Sequence, residues 1–181
     1  ITCRDWSSDV CSSDLISKKN SNGIEYSYKE VLKSMEELEI ANFLFMHNVE
    51  YIYEHPYEID TKDENHRQYK PDFYLPEYKI YIEHFAIDED GKVPHWFKGT
   101  KDKTATQLYN EGIEWKRKIH QQYKTTLIET YSWQKRNNSL LINLKSMLEE
   151  RGVQFRLKTQ EEFFDSTKDL HDEVTLFVKL I

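Results

Sequence analysis

From Ser27 to Asn48, apolar residues recur at three- and four-residue steps: Val31, Leu32, Met35, Leu38, Ile40, Ala41, Phe43, Leu44 and Phe45. That period predicts a helix whose broad apolar face packs on a sheet. Glu36, Glu37 and Glu39 stand inside it. Glu37 is the acid placed at the edge of the stripe, facing inward; the alternative is that all three are exposed helix acids. The period then changes. Tyr51-Ile52-Tyr53-Glu54 reads as a strand ended by His55-Pro56, because proline cannot donate to a ladder. Asp60 to Gln68 is a polar loop. Phe73 to Leu75 and Lys79 to Phe85, rich in aromatic and branched residues, read as two strands of a hairpin turned by Pro76-Glu77-Tyr78.

Asp88-Glu89-Asp90-Gly91 is a further turn, and Trp96-Phe97 a small anchoring patch in a long connection. Leu108 to Tyr123 predicts a second helix, with Leu108, Tyr109, Ile113, Trp115 and Ile119 on its apolar side. Leu127 to Tyr131 is another strand. Leu140 to Glu149 is a third helix, stopped by Arg151-Gly152. The order helix, three strands, helix, strand, helix predicts an α/β fold, a mixed sheet flanked by helices. From Gln154 onward the pattern weakens. Val174 to Ile181 is apolar and carries no stop signal, so the polypeptide is expected to continue into a following region that starts at about residue 156.

Residues 1 to 15 fit none of these periods and hold both cysteines, Cys3 and Cys11. From Asp5 to Leu15 the string resembles the conceptual translation of an adapter oligonucleotide used in short-read sequencing. It is set aside from the functional reading, so Cys3 and Cys11 are taken neither as a disulfide nor as a metal pair. Residues 16 to 24 are polar, contain Asn22-Gly23, and read as a linker, which makes 1–24 a disordered lead into one domain over 25–155. A chain of 181 residues suffices for one core. No apolar run approaches a membrane span and no secretory signal is visible, which predicts a soluble, cytoplasmic product.

A formal net charge of −7 argues against binding nucleic acid through overall basicity. Any DNA contact must be local. The segment holding Lys98, Lys101, Lys103, Lys116, Arg117, Lys118 and Lys124 is net positive, with Asp102, Glu111 and Glu114 its acids. It follows the hairpin directly, so it is either the phosphate-facing side of a site there or a solvated helix face.

The hairpin carries the candidate chemistry. Asp72 and Glu83 fall on neighbouring strands and can meet at one point, where two carboxylates repel unless they share a cation. Hard oxygen ligands with room for water suit Mg²⁺ or Mn²⁺. By strand alternation Tyr81, Glu83 and Phe85 share one face, while Ile80, Ile82 and His84 share the other. A lysine two residues after the glutamate would reach an attacking water on that face, but the position holds Phe85. The best import is Lys116, near the Tyr109, Ile113, His120 stripe of the second helix, whose stem can lie along apolar residues while its ammonium reaches inward. The alternative for Lys116 is a surface or phosphate-contacting role. His84 is read as a core or supporting histidine rather than a base.

These residues together resemble a known group, the PD-(D/E)xK nuclease superfamily with its restriction-endonuclease-like core. The wider set is Lys33-Ser34 with Glu37, Ile40 to Leu44, Tyr69 to Pro76, Tyr81 to Phe85, Glu114 to Arg117 and Leu127 to Tyr131. It is similar to the nuclease-like module inserted in some UvrD-like superfamily 1 DNA helicases, over roughly residues 26 to 155. The resemblance implies Glu37 as the helix carboxylate, Asp72 and Glu83 as the metal-binding pair, and Lys116 as a lysine displaced from strand to helix. It implies Mg²⁺ or Mn²⁺ as cofactor, and as partners DNA and a helicase core in the same polypeptide. Phe85 departs from the pattern, which leaves two functions open: a DNA-cleaving module, or a catalytically inactive module that grips DNA through the Lys98 to Lys124 surface and aromatics such as Trp96 and Trp133. The chain lacks the Gly-rich loop ending in Gly-Lys-Ser/Thr, so ATP hydrolysis would belong to helicase regions outside it.

Overall fold

The computed structural model describes residues 33–64, 66–163 and 165–166. Cys3, Cys11, the linker, the Ser27 to Leu32 part of the expected first helix and Val174 to Ile181 lie outside the described residues. The elements run α1 (Met35–Met46), β1 (Ile52–Tyr53), β2 (Phe73–Leu75), β3 (Ile80–Phe85), α2 (Ala105–Tyr123), β4 (Thr126–Tyr131), α3 (Ser132–Arg136) and α4 (Leu140–Glu149). One sheet takes the order β1-β2-β3-β4, antiparallel through β3 and parallel between β3 and β4. The expected class therefore holds at the level of a mixed α/β sheet flanked by helices. The expected order does not, because the short helix α3 stands between β4 and α4.

Strand alternation builds a different layer on each side. Phe73, Leu75, Ile80, Ile82 and Ile128 join Ile40, Ala41 and Leu44 of α1 and Leu140, Leu144 and Leu148 of α4 in the main core. Tyr74 and Tyr81 point the other way and meet Tyr57, Tyr69 and Ile119, with Trp115 and Leu127 packed against them. All six residues of β3 are buried, as expected of a central strand covered on both faces.

The element ends differ from the sequence expectation for local reasons. α1 starts at Met35, where Ser34 caps it: the Ser34 hydroxyl accepts from the Glu37 N–H at 3.1 Å and donates to Glu37 Oε1 at 3.0 Å. β1 stops at Tyr53, since Glu54 adopts a left-handed φ of 49° and donates its N–H to the Asp72 carbonyl. β3 begins at Ile80 because Lys79 takes a φ of 53° in the hairpin turn. α2 begins three residues early at Ala105, behind a capping box in which Thr104 and Gln107 satisfy each other's backbone N–H groups. Its end at Lys124 has a left-handed φ of 55°. α4 has the expected bounds, and Gly152 follows with a φ of 83°.

Candidate active site

The register Phe73↔Ile82 continues to Asp72 opposite Glu83, so the hairpin sets the two acids side by side at one end of the sheet. The Asp72 carboxylate accepts the His84 N–H at 2.7 Å, which ties it to the end of β3. Glu83 is 1 % exposed on the side of the sheet that faces α2. From α2, about two turns before its end, Lys116 reaches in and donates from Nζ to Glu83 Oε2 at 2.5 Å. Of the two readings for Lys116, the structure favours the inward one.

Glu37 comes to the same end of the sheet from the first turn of α1. It is 5 % exposed, accepts from the Tyr53 hydroxyl at 2.6 Å, and lies close enough to Asp72 for their charges to repel. Glu36 and Glu39 remain partly exposed, and Glu39 pairs with Lys135. The inward choice among the three acids is thus Glu37.

The electrostatics of the cluster are those of crowded acids. Burial first, then the Asp72 charge, pushes the Glu83 carboxyl up to about 8, against the opposing pull of Lys116 and the Tyr69 hydroxyl. Burial and Asp72 raise Glu37 to about 7, against hydrogen bonds from Tyr53 and Ser34. Asp72 itself is raised, by burial above all, with Lys116 and the His84 N–H acting against it. Burial alone would lower Lys116, yet Glu83 and Asp72 outweigh it and hold the ammonium charged. Lys33, paired with Glu54, adds a second positive charge beside Asp72 and Glu37.

This donor set fits a hard divalent cation. Asp72 lies close enough to raise the carboxyls of both Glu83 and Glu37, and Glu83 Oε1 is buried with no hydrogen-bond partner. A cation there would relieve both the repulsion and the orphaned oxygen. Among the described residues, no group of three or more His, Cys, Asp or Glu side chains is placed to hold a metal ion, so a cation here would rest on the Asp72 and Glu83 pair without Glu37 as a direct ligand. Water would complete the coordination, as Mg²⁺ commonly requires.

On the opposite face His84 donates to or accepts from Thr130 Oγ1 at 2.9 Å, and burial pushes its ring down to about 4. It stays neutral and structural, as its strand parity indicates. The basic segment is less uniform than its sequence. Lys98, Lys101 and Lys118 are exposed, whereas Lys103 is bound by Glu111 and Arg117 forks onto Glu129 at 2.7 Å and also holds Glu114. Phe97 packs edge-on against Tyr109, and Trp96 is 60 % exposed. Trp133 stacks on Tyr131.

Sequence reasoning missed Tyr53 and Tyr69 as partners of these acids. The alternation that places Glu83 also places Tyr81 against α2, but Tyr69 comes from a loop, where no period indicates direction. No family model matches the chain, and no curated protein or solved structure matches it at a significant level.

Proposed function

We propose that this chain is a metal-dependent nuclease domain of the PD-(D/E)xK type from a UvrD-like DNA helicase, which hydrolyses DNA phosphodiesters at Asp72, Glu83 and Lys116. The observation that carries the reading is the 2.5 Å contact of Lys116 with Glu83, beside Asp72, at the end of a hairpin. An ammonium arriving from a helix supplies what Phe85 leaves out. Asp72 and Glu83 would hold Mg²⁺ or Mn²⁺, with Glu37 assisting from α1. When bound, the cation supplies positive charge against the developing phosphorane and a lowered pKa for water. Lys116 holds the attacking water by hydrogen bond and keeps it facing the phosphorus, while its own charge favours the approach of a phosphodiester. Lys98, Lys101 and Lys118 steer the backbone toward this end of the fold.

The test is Mn²⁺ calorimetry followed by cleavage of single- and double-stranded DNA, with Asp72→Ala, Glu83→Ala and Lys116→Met beside the parent chain. Metal bound by the parent but not by the carboxylate variants, with cleavage lost in all three, supports the reading. DNA binding in the parent without Mn²⁺ binding would replace it with the inactive DNA-gripping module.

A further inference from the structure

We infer that Phe85 and Tyr69 form an aromatic clamp that positions the Lys116 ammonium over Glu83. Lys116 Nζ lies 5.3 Å from the centre of the Phe85 ring and 5.7 Å from that of Tyr69, both within the range at which a ring face attracts a cation. Phe85 is 1 % exposed and Tyr69 3 % exposed, so neither ring can turn away into solvent. Lys116 keeps 29 % side-chain exposure, and a long, flexible lysine of that kind ordinarily samples many rotamers. Between two fixed rings and a carboxylate it has one place for its ammonium.

The clamp has its own anchors. Phe85 extends the same face of β3 that carries Tyr81 and Glu83, two residues on, so the ring and the carboxylate are set by one strand. Tyr69 is held at its far end: its hydroxyl meets His120 Nε2 at 3.1 Å, His120 Nδ1 meets Thr125 Oγ1 at 2.7 Å, and Thr125 Oγ1 meets the Tyr57 hydroxyl at 2.6 Å. Its ring also packs edge-on to Trp115, the neighbour of Lys116 on α2. Phe85 is therefore a positioning residue and not a vacancy in the motif. A second lysine at position 85 would occupy the space of the ring and repel Lys116.

The inference rests on the reading of Lys116 as the residue that orients the attacking water, and the test separates the two. Nuclear magnetic resonance of the full chain gives the position of the Lys116 side-chain methylene nearest nitrogen, which two facing rings shift upfield. Phe85→Leu and Tyr69→Leu are expected to move that signal toward its free-lysine value with the backbone spectrum otherwise retained. Tyr69→Phe, which keeps the ring, is expected to leave it in place. In Mn²⁺-dependent cleavage the two leucine variants are expected to lose on the order of ten- to a hundredfold in kcat at unchanged KM. An unshifted Lys116 in the parent, or leucine variants that keep both the shift and kcat, would overturn the clamp. A shifted Lys116 in a parent chain that cuts no DNA would uphold the clamp and remove the nuclease reading instead.

Discussion

Glu83→Gln is expected to make the metal-free protein more stable at high pH, and the size of the effect follows from the site. The Glu83 carboxyl is raised from its ordinary 4.5 to about 8, first by burial and then by Asp72. A carboxyl raised on folding holds its proton in the native state where the unfolded chain has already lost it. Its contribution is therefore fully present below about 4.5 and is lost as pH rises through about 8. At 1.36 kcal/mol for each pH unit, the ceiling on that loss is on the order of 5 kcal/mol. Relaxation of the site and water entry reduce it, so about 2 kcal/mol is the expected change between pH 5 and pH 9. The glutamine removes this titration and also weakens the contact with Lys116, a cost present at every pH. The test is therefore the pH dependence of the difference between variant and parent, read by urea unfolding at pH 5, 7 and 9. For a domain of this size about 2 kcal/mol corresponds to roughly 4–8 °C in Tm. Parallel stability curves for the two proteins would refute the argument that Glu83 is held against its charge. Mn²⁺ at a hundredfold over its Kd should restore about 2.7 kcal/mol to the parent and nothing to Glu83→Gln.

Two further outcomes follow from the same geometry. Mn²⁺ affinity of the parent is expected to rise about tenfold per pH unit below about 8 and to level off above it, because the cation displaces a proton from Glu83; calorimetry in buffers of different ionisation enthalpy counts that proton. Charge removal at the exposed Lys98, Lys101 and Lys118 together is expected to lower the slope of log K against log salt for DNA binding by about 2–3, whereas Lys103→Ala, whose ammonium is already bound by Glu111, should lower it by well under 1. Equal slopes for the triple and the single variant would show that the backbone runs elsewhere.

The long periodic segments were legible because packing and propensity agree there. α4 has the bounds that its Leu141, Leu144, Met147 and Leu148 spacing sets, and β4 differs by one residue, Thr126. The start of α2 was misplaced for a reason present in the chain. Thr104-Ala105-Thr106-Gln107 is a capping box, and it starts the helix three residues ahead of the apolar stripe that begins at Leu108; Ser34 caps α1 by accepting the Glu37 N–H. α3 escaped because five residues make less than two turns and show no period. β1 was shortened by a left-handed Glu54, a conformation that glutamate side chains do not advertise.

The site was legible in proportion to how much of it is local. Asp72 and Glu83 lie within one hairpin, so strand parity and a short turn brought them together from sequence alone. Glu37 and Lys116 lie on helices, and their inward direction could be read from the apolar stripes beside them, though not their distance from the acids. Phe85 shows where one-dimensional reading fails. A motif position records which side chain the strand presents, and by that measure Phe85 is a loss. What the phenyl ring touches depends on α2 crossing the same face at Lys116, and on a loop returning Tyr69 to within reach of the same ammonium. With the lysine on the helix, a ring at position 85 is more useful than a second ammonium, because two like charges beside Glu83 would repel where an aromatic face attracts. The chemical requirement is a cation held near a carboxylate pair, and a fold can meet it from the strand or from the helix that covers it.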